Sequence, residues 1–238
     1  MPWGDPGLFA WHVARYEFAL PQARDRRVLD VGCGEGYGAA LLAGSARDVV
    51  AIDYSPAAVD HARASYERRN LHVDIADARA LPYRLGRFDV ITCFEVIEHV
   101  PDADALLERL AGLLAPGGIL LLSTPNRLVD RLFETAAGRP PNPYHVNLLT
   151  PRQLKRSARR HFPHAVLYGQ SSRGSALHSA LKMLDVANIR HRLFRRTTVR
   201  RSVGSAVGAV EGPTAAGLRF SRLLVRQSPI VVLVARRG

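Results

Sequence analysis

Cysteine, methionine and tryptophan each occur only twice. Lysine is as scarce, since 31 of the 33 cationic side chains are arginine. Two thiols, Cys33 and Cys93, exclude a disulfide scaffold and fit a reducing cytoplasm. The longest apolar runs, around 113–122 and 230–235, are too short to span a bilayer. The opening MPWGDPGLFAWHV lacks the basic segment ahead of an apolar core that a secretory leader needs, so no export is expected from it. The last part of the chain lacks acid. Residues 171–238 hold 13 Arg/Lys and 2 Asp/Glu, whereas residues 1–170 hold 20 and 19. Nearly all of the formal net charge of +12 therefore sits in that part. Such a surface meets the phosphates of lipid headgroups or of nucleic acid. A GC-rich genome explains arginine over lysine, but not the missing acids.

Against these absences stand 238 residues, 47% of them hydrophobic, enough for one α/β domain with an insertion. Phe9, Val13, Tyr16 and Leu20 share one face of a predicted helix. Apolar runs at 28–31, 48–53, 71–77, 87–95 and 119–126 then alternate with helical patterns. These helices are 37–43, ended by Gly44; 55–69, opened by Ser55 and Pro56; and DADALLERLAGLLAPGG, closed by Pro-Gly-Gly. Such alternation predicts a mostly parallel, doubly wound sheet. TPRQLKRSARR (150–160) reads as a helix capped by Thr150, and 165–170 and 229–237 as closing strands. The chain divides into a helical segment 1–26, a core 27–170, a basic insertion 171–228 and a closing strand 229–238.

After the first strand, VLDVGCGEG puts Gly32, Gly34 and Gly36 in a tight turn whose amides can face a polar ligand. Asp53 ends the second strand, 21 residues after Gly32, where a carboxylate grips ribose hydroxyls. Asp77 ends the third. Together they point to a nucleoside-type cofactor. A dinucleotide fingerprint spaces its glycines G-x-G-x-x-G, and GCGEG does not, which disfavours a nicotinamide oxidoreductase. VLDVGCGEG, VVAIDYSPAAVDHAR, ADARALPY, FDVITCFEVIEHVPD and LAPGGILLLSTPNR instead resemble, in order and spacing, class I S-adenosylmethionine-dependent methyltransferases. The resemblance covers about residues 28–127.

That resemblance implies a doubly wound, seven-stranded, Rossmann-like sheet whose last strand, 229–235, is antiparallel, preceded by the basic helical insertion. It implies that Gly32, Gly34 and Gly36 line the methionine part of S-adenosylmethionine. Asp53 would hold the ribose, with Tyr54 beside it, and Asp77 and the Ala78 backbone would address the adenine. Phe94 and Glu95, following Cys93, would border the methyl-bearing sulfur. Asp30, within the first motif, joins the cofactor set. Arg15 either reaches the cofactor carboxylate or is a surface arginine.

Methyl transfer to a hydroxyl requires a held nucleophile and removal of its proton, by a base or by a metal that lowers its pKa. CFEVIEHVPD followed by STPNR resembles two branches of the superfamily. One is the ubiquinone-biosynthesis O-methyltransferases, whose downstream histidine corresponds to His145 in NPYHVNLLTPRQL. The other is the small-RNA 3′-end 2′-O-methyltransferases. In both, the Glu-x-x-Glu-His pattern is associated with a divalent cation, so Glu95, Glu98, His99 and His145 are candidate ligands of Mg, Mn or Zn. The mixed donor set suits Zn or Mn better than Mg. A metal-free site with His145 or His99 as base, beside Glu98, competes with that reading, as does a purely structural role for the motif.

The RNA branch has a downstream His-x-x-His where PYHVNL offers one histidine, which disfavours nucleic acid. The expected acceptor is a small or lipid-linked hydroxylated metabolite: a phenol, polyketide or sugar of secondary metabolism. A catalytically inactive methyltransferase-fold partner protein is the alternative class. Within the insertion, 173–201 carries eight basic residues and one acid. It reads as a lid over the pocket or as a contact with an anionic membrane, which would make a cytoplasmic protein peripheral at the inner face. GSAVGAVEGPTAAG (204–217) reads as a connection.

Overall fold

The computed structural model describes residues 6–82, 86–137, 142–172, 218–223 and 225–238. The basic stretch 173–201, with its expected lid or membrane contact, and the connection 204–217 lie outside the described residues. Helix α1 (Pro6–Ala23) leads into an alternation of β1 (Arg27–Val31), α2 (Tyr37–Ala43), β2 (Asp48–Asp53), α3 (Pro56–Ser65), β3 (Leu71–Ile75), β4 (Phe88–Phe94), α4 (Ala103–Leu113) and β5 (Leu114–Pro125). Then come α5 (Arg127–Ala137), α6 (Pro151–His161), β6 (His164–Ser172), β7 (Leu218–Ser221) and β8 (Ile230–Arg236). Among the described residues no helix is long and apolar enough to cross a membrane.

The strands form one sheet in the order β3-β2-β1-β4-β5-β8-β6-β7. β1 to β5 pair in parallel, and β8 runs antiparallel between β5 and β6. The expected antiparallel closing strand is thus present, but the sheet has eight strands rather than seven. The additional strand is β7, which pairs antiparallel with β6 and lies within the stretch read as insertion. Its four residues, LRFS, carry no apolar run, and an edge strand needs none because one side is unpaired.

Both faces of the sheet are covered, which is why the central strands read as unbroken apolar runs. Alternate residues serve opposite faces. Leu29, Val31 and Ile91 join Leu106 and Leu110 of α4 and Leu154 of α6 in one core. Val28, Val49 and Val90 join Tyr16 and Ala19 of α1, Leu42 of α2 and Val59 of α3 in the other. Ser55 and the Thr150–Gln153 capping box start α3 and α6 as their sequences predict.

Asn126, the residue after β5, is fully buried. Its Nδ2 donates to the carbonyls of Val225 (3.3 Å), Arg226 (3.1 Å) and Ser228 (2.9 Å), and its Oδ1 accepts from Leu128 N (3.1 Å) at the start of α5. One side chain thereby fixes the turn into β8. Asn126→Ala is expected to lower stability by roughly 2–3 kcal/mol in urea unfolding, the effect of removing several buried hydrogen bonds at once.

Asp30, expected in the cofactor set, is instead fully buried on the α1 face. It accepts from Thr92 Oγ1 at 2.6 Å and Tyr16 Oη at 3.2 Å. Burial pushes its pKa up to about 7, against those hydrogen bonds. In the unfolded chain an aspartate titrates near 4. The folded state therefore keeps a proton that the unfolded state releases. Stability from this group is full below about pH 4 and is lost as pH rises towards 7. Asp30→Asn, which cannot ionise, should gain roughly 2–3 kcal/mol on the native protein between pH 5 and pH 8 in urea unfolding. Parallel pH profiles for the two proteins would refute this.

Candidate active site

The strand order reverses at β1, between β2 and β4. In open α/β sheets a crevice forms at such a point, beyond the carboxyl ends of the strands. A cleft of about 750 Å³ lies there, walled by the ends of β1 to β4 and by the segment 142–146. That volume falls in the ordinary range for small-molecule sites.

Gly32 bends the chain out of β1 with φ +73°, and the amides of Gly32 and Cys33 both donate to the Ile52 carbonyl, at 2.8 and 3.0 Å. A Cβ on Gly32 would stand 2.3 Å from Val96 Cγ2, so glycine is what lets this turn meet the loop after β4. Asp53 Oδ2 accepts from Gly34 N and Oδ1 from Ser55 N, both at 2.9 Å, which fixes the carboxylate at the cleft wall. Tyr54, next to it, is 78% exposed and lines the same wall.

Asp77 and Ala78 line the cleft. The Asp77 side chain is gripped by Arg79, whose Nε and Nη2 lie 2.8 and 2.6 Å from Oδ2, and this pairing holds its pKa below the usual carboxylate range. Of the expected cofactor set, Arg15, Asp30, Gly34, Gly36 and Phe94 are not among the residues that line the cleft. Gly36 packs against Ala62, and Phe94 meets the Tyr16 ring edge-on at 5.1 Å.

Glu95 leaves β4 with φ +57°, a conformation uncommon outside glycine and one that marks a constrained site. Its Oε1 accepts from Ser123 Oγ at 2.7 Å and lies 3.8 Å from Arg15 Nη1. Arg15 is no surface arginine, being 1% exposed. Its Nη1 donates to Gln170 Oε1 at 3.1 Å, and Gln170 Nε2 donates to the Trp11 carbonyl at 2.8 Å. The Nε and Nη2 atoms of Arg15 are buried without a hydrogen bond. His12, three residues earlier on α1, is held neutral: burial, then the Arg15 charge, lower its pKa to about 4 against the pull of Glu95.

The motif that ends in Glu98 and His99 forms a 3-10 turn, Ile97–His99. Glu98, His99 and His145 each offer a ligand atom, all within 4.8 Å of one another. Glu95, expected with them, turns instead to Ser123 and Arg15. Glu98 is 1% exposed, and neither carboxylate oxygen completes a hydrogen bond, although the Thr124 hydroxyl lies near. Burial, then the Glu95 charge, pushes its pKa well above the usual carboxylate range.

The two imidazoles differ in ways the hydrogen bonds define. His99 Nδ1 lies 2.8 Å from the Tyr144 carbonyl, which can only accept, so Nδ1 carries a proton and, in the neutral ring, Nε2 is the acceptor. Asn142 Oδ1 accepts from Tyr144 N at 3.0 Å, which turns its Nδ2 towards His145 Nε2 at 3.1 Å. His145 therefore accepts at Nε2, and its protonated Nδ1 lies 4.0 Å from Asp130 Oδ2. His99 lines the cleft, whereas His145 and Glu98 stand behind it. The rings meet edge to face at 5.2 Å. Sequence reading missed His12, Gln170, Asn142 and Tyr144. His12 had a signal in its spacing from Arg15, and Asn142 in the turn-forming NP pair; Gln170 had none.

A family model described as a methyltransferase domain matches residues 11–161. The chain is 39% identical over 156 residues to a protein of Mycolicibacterium smegmatis named as a probable S-adenosylmethionine-dependent methyltransferase, covering 63% of this chain and 58% of that one. It is 33% identical over 170 residues to a ubiquinone biosynthesis O-methyltransferase of Coxiella burnetii, covering 71% and 68%. The chain spans little more than half the length of the mycobacterial relatives, 58% and 52% for two of them. Among solved structures it is similar to an S-adenosylmethionine-dependent methyltransferase of Thermotoga maritima, with TM-score 0.66, 15% identity, and 100% and 94% of the two chains covered. It is also similar to the N-methyltransferase NodS of Bradyrhizobium japonicum in complex with S-adenosylhomocysteine, with TM-score 0.59, 13% identity, and 99% and 89% covered. At these identities the structural likeness shows the fold.

Proposed function

Because the chain belongs to the methyltransferase-domain family, we propose that it is an S-adenosylmethionine-dependent O-methyltransferase acting on a small, largely apolar hydroxylated acceptor, free or lipid-linked. The observation that carries this reading is His99, which lines the cleft while its Nδ1 lies 2.8 Å from the Tyr144 carbonyl, so that in the neutral ring Nε2 is the acceptor.

The residues present fit the cofactor. Arg15 keeps two buried N–H-bearing nitrogens without a partner, which suits an amino-acid carboxylate. Asp53, its carboxylate oriented by two amides, suits a ribose diol. Asp77, Ala78 and Tyr54 border the space left for the base. When bound, S-adenosylmethionine supplies an electrophilic methyl group on a positively charged sulfur. The chain supplies the rest. Glu95 is held by Ser123 at the end of β4, and His99 Nε2 accepts the proton of the acceptor hydroxyl. The Tyr144 carbonyl stabilises the imidazolium that forms, through Nδ1–H.

Val96, Val100, Tyr144 and Val146 give the cleft an apolar mouth, with Tyr144 and Val146 exposed. Among the described residues that line it, the one arginine, Arg79, is engaged by Asp77, so nothing there suits a phosphate backbone. Both observations support an apolar acceptor over RNA. The name of the Coxiella relative supports oxygen as the methylated atom.

A second reading rests on one observation, the buried Glu98 carboxylate without a hydrogen bond beside two histidines. A divalent cation would supply the missing countercharge, and one carboxylate with two imidazoles suits Zn or Mn. On that reading His145 must release Asn142 or its Nδ1 proton.

Two measurements test the proposal. Arg15→Met should weaken S-adenosylmethionine binding about 10–100-fold by calorimetry, as loss of charged hydrogen bonds would. Unchanged affinity would remove Arg15 from the cofactor site. His99→Ala should bind S-adenosylmethionine normally and lose activity on a phenolic acceptor about 10²–10³-fold. Chelator should leave the native rate unchanged if His99 is the base. Abolition by chelator and recovery with Zn or Mn would replace that reading with the metal one.

A further inference from the structure

A second groove, of about 620 Å³, opens where α6, β6 and the turn before β8 meet. It shares no lining residue with the cleft. Its rim is cationic. Arg152, Lys155 and Arg159 come from α6, and Arg222 and Arg226 from the turn. On α6 the three lie along one stripe, because residues three and four apart share a face. The floor is apolar, with Leu167 and Val225 partly buried in it.

Among the described residues none of these five side chains is in an ion pair. The contrast with the other side of α6 is direct. There Arg160 and His161 both approach Asp104, at 3.1 and 3.4 Å. The groove side has five cations and no acid in its lining. Like charges crowded around a concavity repel each other, and the potential they sum to attracts an anion. The backbone that carries Arg226 is held in place. Asn126 hydrogen-bonds to the backbone of Val225 and Arg226, so that turn is a fixed part of the fold.

We propose that this groove binds a phosphate ester, its oxygens held between the α6 stripe and Arg222 and Arg226, its esterified body on the apolar floor. Guanidinium forks match phosphate oxygens in pairs, and four of the five cations are arginines. A soluble phosphoester and an anionic lipid headgroup present the same chemistry.

The test uses the full chain and inorganic pyrophosphate as probe, by calorimetry at low salt. The native chain should bind one pyrophosphate, more weakly as salt rises. Arg152→Glu with Arg226→Glu should weaken binding by at least about tenfold, since charge is reversed on both sides of the groove. Arg24→Glu with Arg26→Glu, exposed arginines ahead of β1, changes net charge equally and should leave binding nearly unchanged. S-adenosylmethionine binding reports that each variant is folded. If the glutamate pair fails that control, Arg152→Gln with Arg226→Gln carries the same expectation. Sedimentation with phosphatidylglycerol-containing vesicles, lost in the groove variant, assigns a lipid headgroup. Displacement of pyrophosphate by glycerol 3-phosphate without vesicle binding assigns a soluble ester. Absence of pyrophosphate binding, or equal weakening by the two charge pairs, overturns the proposal.

Discussion

A guanidinium taken out of water has to be compensated by its surroundings, and the organisation of this site follows from how Arg15 is compensated. At 1% exposure it rests against two elements distant in sequence, Gln170 of β6 and Glu95 beyond β4. Gln170 also holds the Trp11 carbonyl, so the same contact fastens α1 across the sheet. The buried cation is one reason that His12 stays neutral. The carboxylate of Glu95 in turn helps to push Glu98 towards its neutral form. Two glutamates three residues apart thus occupy different electrostatic environments, one beside a cation and one nearly dry.

A comparable division separates the two histidines. Their protonation pattern is decided by a short irregular segment rather than by helix or strand. Asn142 closes a turn on Tyr144 N and so presents an N–H to His145, while the Tyr144 carbonyl fixes the tautomer of His99. Asn147 ties the same segment to the 97–101 turn through its amide, which donates to the Glu98 carbonyl at 3.0 Å. The 142–146 wall of the cleft and His99 are therefore tied together.

The parallel core was legible in the sequence because strands buried on both faces must be apolar throughout and their turns must contain glycine. The positions of Gly32, Asp53, Asp77 and Ala78 followed from that framework. Side-chain direction was harder to read. Asp30 shares a sheet face with Val28, so strand period alone aims it at α1, outside the cleft's lining. Phe94 ends its strand inside the aromatic cluster around Tyr16. The separation of Glu95 from Glu98 depends on a positive φ at a glutamate, which no propensity predicts. α5 and β7 were missed for different reasons: the first follows β5 after the single residue Asn126, and the second is four residues at an edge.

The placement of β8 has a consequence for how the molecule is assembled. β5 and β6 do not pair with each other; each pairs with β8, which follows both in the chain. A chain emerging from the ribosome can close the parallel strands early, but β6 has no berth in the sheet until β8 arrives. Gln170 sits on β6, so the compensation of Arg15 is among the last contacts to form. A nascent chain would form the crevice at the ends of β1 to β4 before Gln170 can reach Arg15. That contact waits for pairing distant in sequence, the slow step in such topologies.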